Sequence, residues 1–309
     1  MKIIRPVAVT DARLTAANVP EDDYPEYSPS ATYSSGDRVM VAAAHMVYEA
    51  LTDNVTGKYP PNDISAAAPA WLEVGATNRW AMFDQQVGTV TSGSEPWAVG
   101  DGHGIQVDIV PGSVVNGLAL MGVTAASIMV EVIDPDEGTV YSNTTGLIDN
   151  AGVDNWYAYF FEPIQRKTDV VLTDLPSYGT ATIRISVDGG GGTAVVGLAV
   201  LGSQKELGGT RYGASVGITD YSRKDRDAFG RPIIVPRRFS KRASLDINVP
   251  AGQVDYVQNL LASYRTTPLV WVGSELYTST LIYGYYRDFS IVISNYSMSE
   301  CSIEIEGLT

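Results

Sequence analysis

One cysteine, Cys301, and two histidines, His45 and His103, are all that 309 residues hold of the softer metal ligands. A single thiol excludes an intrachain disulfide, and two imidazoles leave too little for a zinc site. No cofactor and no metal are expected. Charged side chains are sparse at 18%. No apolar run approaches the roughly 20 residues of a membrane helix, so membrane insertion is not expected. The opening Met-Lys-Ile-Ile-Arg-Pro-Val has no apolar stretch of secretory length before Asp11. A soluble chain is expected, made in the cytoplasm and leaving it only as part of something larger. Long periodic apolar helices are scarce as well.

What is present points to β-structure. Hydrophobic residues make up 45% of the chain, with 30 Gly and 16 Pro, a mix that suits an all-β protein rich in turns. The net charge of −14 is uneven: −5 over residues 1–85, −10 over 86–208 and +1 over 209–309. An acidic body argues against nucleic acid as a partner, since that needs a basic footprint.

Four segments follow from the pattern. Residues 1–22 hold a strand over Ile3–Thr10, with Pro6 marking an edge or bulge, and then a connector that is either a short helix over Asp11–Pro20 or irregular. Residues 23–85 form a small aromatic β module, with strands at Val39–Ala42, Met46–Leu51 and Trp71–Val74 and an extended loop imposed by Pro60, Pro61 and Pro69. Residues 86–208 alternate apolar and polar positions between regular turns. Strands are expected at Ile105–Val110, Val115–Leu120, Ser127–Ile133, Tyr157–Phe161, Asp169–Leu172, Thr180–Val187 and Ala194–Leu201, with hairpin turns at Asp134–Gly138 and Asp188–Gly192. That is a β-sandwich of jelly-roll type, similar in pattern to galactose-binding-like sandwiches. Residues 209–309 form an α+β or small-barrel domain. It opens with a long basic arm, 211–244, and holds one clear helix over Val249–Tyr264 and strands at Ala243–Val249, Pro268–Val272, Thr280–Tyr286, Phe289–Ile293 and Cys301–Glu306.

Catalytic signatures are weak. The acids Asp134, Asp136 and Glu137 suit a turn, and nothing places two carboxyls across a cleft as glycoside hydrolysis requires. His45 and His103 lack a nucleophile-elbow context. Gly189–Gly192 has no Gly-Lys-Ser/Thr after it and opens no helix, so it does not read as a phosphate loop. No enzymatic activity is expected.

Two groups of residues remain as candidate binding sites. Tyr33, Tyr48, Tyr59, Trp71 and Trp80 either stack on sugar rings or fill a miniature core, and the sequence leaves both open. Arg223, Lys224, Arg226, Arg231, Arg237 and Arg238 lie in the arm, which is either a solvated loop or an extension onto an acidic neighbouring subunit.

Tyr33, Gly36-Asp37-Arg38-Val39, Tyr48-Glu49-Ala50 and Trp71 together resemble the small chitin-binding modules of family five/twelve. The chain departs from them in having Tyr33 where a tryptophan is common and a longer Pro-rich loop before Trp71. A wider likeness covers the first third. Met1–Val7, Asn18–Glu26 and Trp71–Asp84, above all Asn78-Arg-Trp-Ala-Met-Phe-Asp84, are similar to the opening of structural proteins encoded among the tail genes of tailed bacteriophages. The resemblance implies a virion component near the tail tip or baseplate, made in the host cytoplasm. It would contribute to assembly with other tail subunits, as a homo- or hetero-oligomer, and touch a cell-surface glycan. The alternative is a carbohydrate-binding module protein accessory to a glycan hydrolase.

Overall fold

A computed structural model describes residues 1–149, 155–161, 165–226 and 229–308. The fold is mainly β, built from antiparallel sheets.

The strand Lys2–Pro6 joins the largest sheet together. On one side it pairs with Leu198–Glu206 and on the other with Leu269–Val272. Ile3 and Ile4 are both fully buried, one on each face, as expected of a strand covered on both sides. Ile3 belongs to the core around Trp271, and Ile4 to the cluster around Ala119, Val200 and Val270. The strand is central rather than at an edge. Pro6 is tolerated because pairing with Leu269–Val272 stops at Ile4, so the missing N–H falls beyond the last rung on that side.

From this strand the ten-stranded sheet extends both ways. Outward through Leu198–Glu206 come Gly117–Met121 and then Val170–Leu172. Outward through Leu269–Val272 come Leu281–Val292, Met298–Gly307 and Phe239–Pro250, with Gly209–Thr210 and Ser215–Asp220 on the far edge. The sheet thus continues across the 208/209 boundary suggested by composition. It also curls: Lys241 on Phe239–Pro250 is ion-paired with Asp169 beside the opposite edge.

A second sheet packs on the first part of this one. Its order is Gly138–Gly146, Ser127–Asp134, Thr182–Asp188 and His103–Ile109, with Leu14–Ala17 and Glu95–Pro96 both on the last strand. Ser127–Asp134 alternates half-buried and buried residues without exception. Ile128, Val130 and Val132 face Leu118, Leu120 and Leu201 across the sandwich core. The connector after Asp11 is therefore neither a helix nor irregular throughout, because Leu14–Ala17 pairs with His103–Ile109, far along the chain.

In the C-terminal half, the helix Val254–Ser263 packs on the sheet face that carries Ile3 and Trp271 and buries Val257 and Leu261 completely. Each contributes about 1.5–3 kcal/mol of apolar burial. Pro250 and a short 3-10 turn lead into the helix, and Asp255 in its first turn faces the positive end of the dipole.

Three local expectations change. Trp156–Phe161 is a short helix, not a strand, with Trp156, Tyr157, Phe160 and Phe161 exposed. A run of aromatics this short has no period that separates the two. Asp188–Gly192 does not close a hairpin but carries the chain from one sheet to another, since Ala194–Val196 pairs with Thr91–Gly93. Gly190 and Gly191 take positive φ there, 61° and 89°. Pro60–Asp63 is a helical turn rather than extended chain, with proline at its first positions.

Candidate functional site

The aromatic module is a three-stranded sheet, Arg38–Val41, Met46–Ala50 and Trp71–Ala76. Its core is Val39, Val41, Tyr48, Ala50, Val55, Ala70 and Trp71. Trp71 is 1% exposed and Tyr48 2%. The Trp71 indole N–H donates to the Lys58 carbonyl at 2.9 Å, and its ring meets Tyr27 and Tyr33 edge-on at 6.0 and 5.2 Å. Tyr27 in turn stacks on Tyr33 at 5.9 Å and meets Tyr59 edge-on at 5.8 Å.

The five candidate sugar-stacking residues therefore divide. Tyr48 and Trp71 are core side chains with no ring face open to a ligand. Trp80 lies outside the module core, 7% exposed, stacked on His45 at 4.1 Å and packed on Phe83 in the sandwich core. Tyr33 is half-buried, and its hydroxyl accepts from the Ser28 N–H at 2.8 Å. Only Tyr59 of the five is exposed, at 41%. The physical reason is the module's size: few aliphatic residues are available, so the rings supply the core.

Two features that sequence spacing missed hold this region in place. The Asp63 carboxylate accepts from the backbone N–H groups of Ala70 and Trp71 and so seats the tryptophan. Glu21 gathers His45 Nδ1 at 2.9 Å, the Thr77 hydroxyl at 2.8 Å and Arg79 Nη1 at 3.6 Å. His45 stands at φ 54°, with Nε2 3.0 Å from Asp11 Oδ1. This clasp ties the connector, the module and the Thr77–Phe83 turn together. Isolated acids in an acidic stretch carried no signal for it.

The basic arm is a β-ribbon. Ser215–Asp220 pairs with the first half of Phe239–Pro250, and beyond it Arg223–Arg226 pairs with Pro232–Val235. The last rung joining the ribbon to the rest of the sheet is Arg242 with Glu306. The ribbon's root stays against the body as far as Tyr221 and Arg238, and beyond them the ribbon extends roughly 20 Å at ~3.3 Å per residue. All eight residues of the tip strands are exposed, and Phe229, at 88%, stands between them. Ile218, Ile233, Ile234, Val235 and Phe239 are exposed as well.

Of the arm's candidate contacts, Arg223 is engaged with Asp225 at 2.7 Å and Lys224 with Asp220 at 2.6 Å. These partners hold both carboxyls below the usual carboxylate range. Arg238 instead anchors the ribbon's root, donating to the Val87 carbonyl at 2.7 Å. Arg226, Arg231 and Arg237 are exposed.

Beside that root lies a cleft of about 380 Å³, lined by Val87, Val90, Met121, Leu198, Phe239 and Tyr283 among others, with the Lys241–Asp169 pair in its wall. Burial, then the nearby Asp84, pushes the Tyr283 phenol up to about 12. The cleft marks where the two ends of the curled sheet approach each other.

Of the acids weighed for catalysis, Glu137 accepts from the Tyr178 hydroxyl at 2.9 Å. Asp134 Oδ1 accepts from the N–H groups of Asp136 and Glu137, which closes the turn. No protein-family model matches the chain, and no curated protein matches it.

Proposed function

We propose that the chain is a non-enzymatic structural protein of a phage virion, placed at the tail tip or baseplate, where it joins other tail subunits. The projecting ribbon carries this reading. An isolated two-stranded ribbon is marginal in water, and this one exposes isoleucine, valine and phenylalanine among its charges. Such an element fits a contact with a neighbouring subunit. The likeness of Asn78–Asp84 and the first residues to tail-gene products supports the tail as the setting. The test is mass spectrometry and immunogold labelling of purified particles. The chain is expected in intact virions at a fixed stoichiometry, with label at the distal end of the tail. Particles that lack it would end the proposal.

Host-surface glycan contact is a second reading, and the exposed Tyr59 beside half-buried Tyr33 is what favours it. Titration with chito-oligosaccharides should give binding that Tyr59→Ala abolishes. No binding by the wild-type chain would leave the assembly role alone.

A further inference from the structure

We propose that the ribbon's partner is a second copy of this chain, and that it docks along the open edge strand Gly138–Gly146 of that copy's sandwich. The inference rests on the assembly role given to the ribbon above, but not on the chain being in a virion.

Charge selects the partner. Residues 215–242 hold eight basic and three acidic side chains, a net +5, which leaves −19 for the rest of the −14 chain. A ribbon of that sign projecting from a body of the opposite sign is drawn to another body of the same kind.

Backbone geometry selects the place. Gly138–Gly146 is nine residues long and, among the described residues, pairs only with Ser127–Asp134, so its outer row of N–H and C=O groups has no strand partner there. Soluble proteins usually defend such an edge with charge, proline or short length. This strand reads Gly-Thr-Val-Tyr-Ser-Asn-Thr-Thr-Gly, with no charged residue and no proline. Its only irregularity is a bulge near one end, opposite Val132 and Ile133. At that end sits the turn bearing the exposed acids Asp136 and Glu137. The ribbon has the complementary properties: among the described residues Ser215–Asp220 is likewise paired on one side only, and the tip beyond it carries Arg223, Lys224 and Arg226. Strand addition would satisfy both backbones, while the acidic turn meets the basic tip and sets the direction. The two surfaces are different patches of one chain. The contact is therefore head-to-tail and generates a ring or a filament.

The test is sedimentation velocity of the full-length chain over a concentration series at low and high salt, with hydrogen exchange on the same samples. Oligomers that dissociate with added salt are expected, together with slowed exchange at Gly138–Gly146 in the oligomer. Arg226→Glu with Arg237→Glu should weaken association by about tenfold or more, and Asp136→Lys with Glu137→Lys likewise. Both faces are exposed, so circular dichroism should show each variant folded. Combining the two reversals in one chain should restore association. A chain that stays monomeric at every concentration overturns the proposal, as does association indifferent to the arm reversal. Unchanged exchange at the edge strand, or no rescue in the combined variant, overturns the docking site. Virions that contain a chain monomeric on its own would remove this inference and leave the tail assignment. Self-association of a chain absent from virions would do the reverse.

Discussion

Replacing Trp71 with alanine separates a packing ring from a binding ring. The side chain is 1% exposed and central to a core of seven buried residues. Truncating a buried tryptophan to alanine costs about 3–5 kcal/mol. The Lys58 carbonyl also loses its donor, a hydrogen bond worth about 1 kcal/mol net. A module of this size rarely draws more than about 3–5 kcal/mol from its core. The loss is therefore comparable to everything holding the module together, and Trp71→Ala should unfold it locally while the large sheets persist. Hydrogen exchange by mass spectrometry reads this directly. Amides of Arg38–Val41 and Met46–Ala50 should lose protection, while those of Leu269–Val272 and Ser127–Asp134 keep theirs. Trp71→Phe keeps a ring but not the indole N–H, so it should leave the module folded with weakened protection. Full protection in Trp71→Ala would refute the packing argument and return the ring to the list of ligand contacts.

Three further outcomes are expected. Gly202→Ala should disrupt the central sheet, because a Cβ there would stand 1.7 Å from the Arg5 carbonyl oxygen. Most of the expressed variant should be insoluble, and a soluble variant with the wild-type melting temperature would show that the two strands can part freely. Asp63→Ala strips the acceptor from the Ala70 and Trp71 N–H groups, and at about 1–3 kcal/mol for a buried group left unsatisfied it should expose the module's strands to partial exchange. Cys301 is fully buried, and burial pushes its thiol up to about 11. An unfolded thiol ionises near ~8.5, so this group's contribution to stability is complete below that pH and is lost as pH rises toward 11. A thiol reagent at pH 8 should leave the native chain unmodified and label it once in denaturant, and Cys301→Ser should flatten that part of the alkaline stability profile. Rapid labelling of the native chain would contradict the burial.

Where a segment buries one face, its pattern could be read directly. Ser127–Asp134 and Met298–Gly307 alternate cleanly because each has one face in a core, and Val254–Ser263 repeats at helical spacing because Val257 and Leu261 turn inward. Other segments failed for definite reasons. The strands of the arm left no signal because a ribbon exposed on both faces has no apolar–polar period to detect, and Ile233-Ile234-Val235 runs against one. Leu14–Ala17 was hidden because its strand character comes from pairing with His103–Ile109, not from its own composition. The aromatic site was readable as a cluster, but spacing does not say which way a ring points. Tyr48 and Trp71 turned inward because a module with so few aliphatic residues has nothing else to fill its centre, and Trp80 turned the other way, into the sandwich core beside Phe83.

The same economy shows why an extended ribbon suits this body. An arm proposed to make contacts transmits orientation only if its root is held, and here several independent links hold it. Phe239–Pro250 is twelve residues long and shared between ribbon and sheet, so the arm continues a strand locked against Met298–Gly307. Arg238 fastens the root to the Val87 carbonyl on the chain leaving the aromatic module, and Lys241 reaches Asp169 at the opposite edge. A Cβ at Gly88 would fall 1.9 Å from the Arg238 guanidinium, so that crossing depends on a residue without a side chain. The sheet itself is continuous through Lys2–Pro6, so the sandwich and the C-terminal half cannot shift independently without breaking rungs on one side of that strand. A projecting element rooted in this way presents its charges and apolar tip in a defined direction, as the proposed contact between subunits requires.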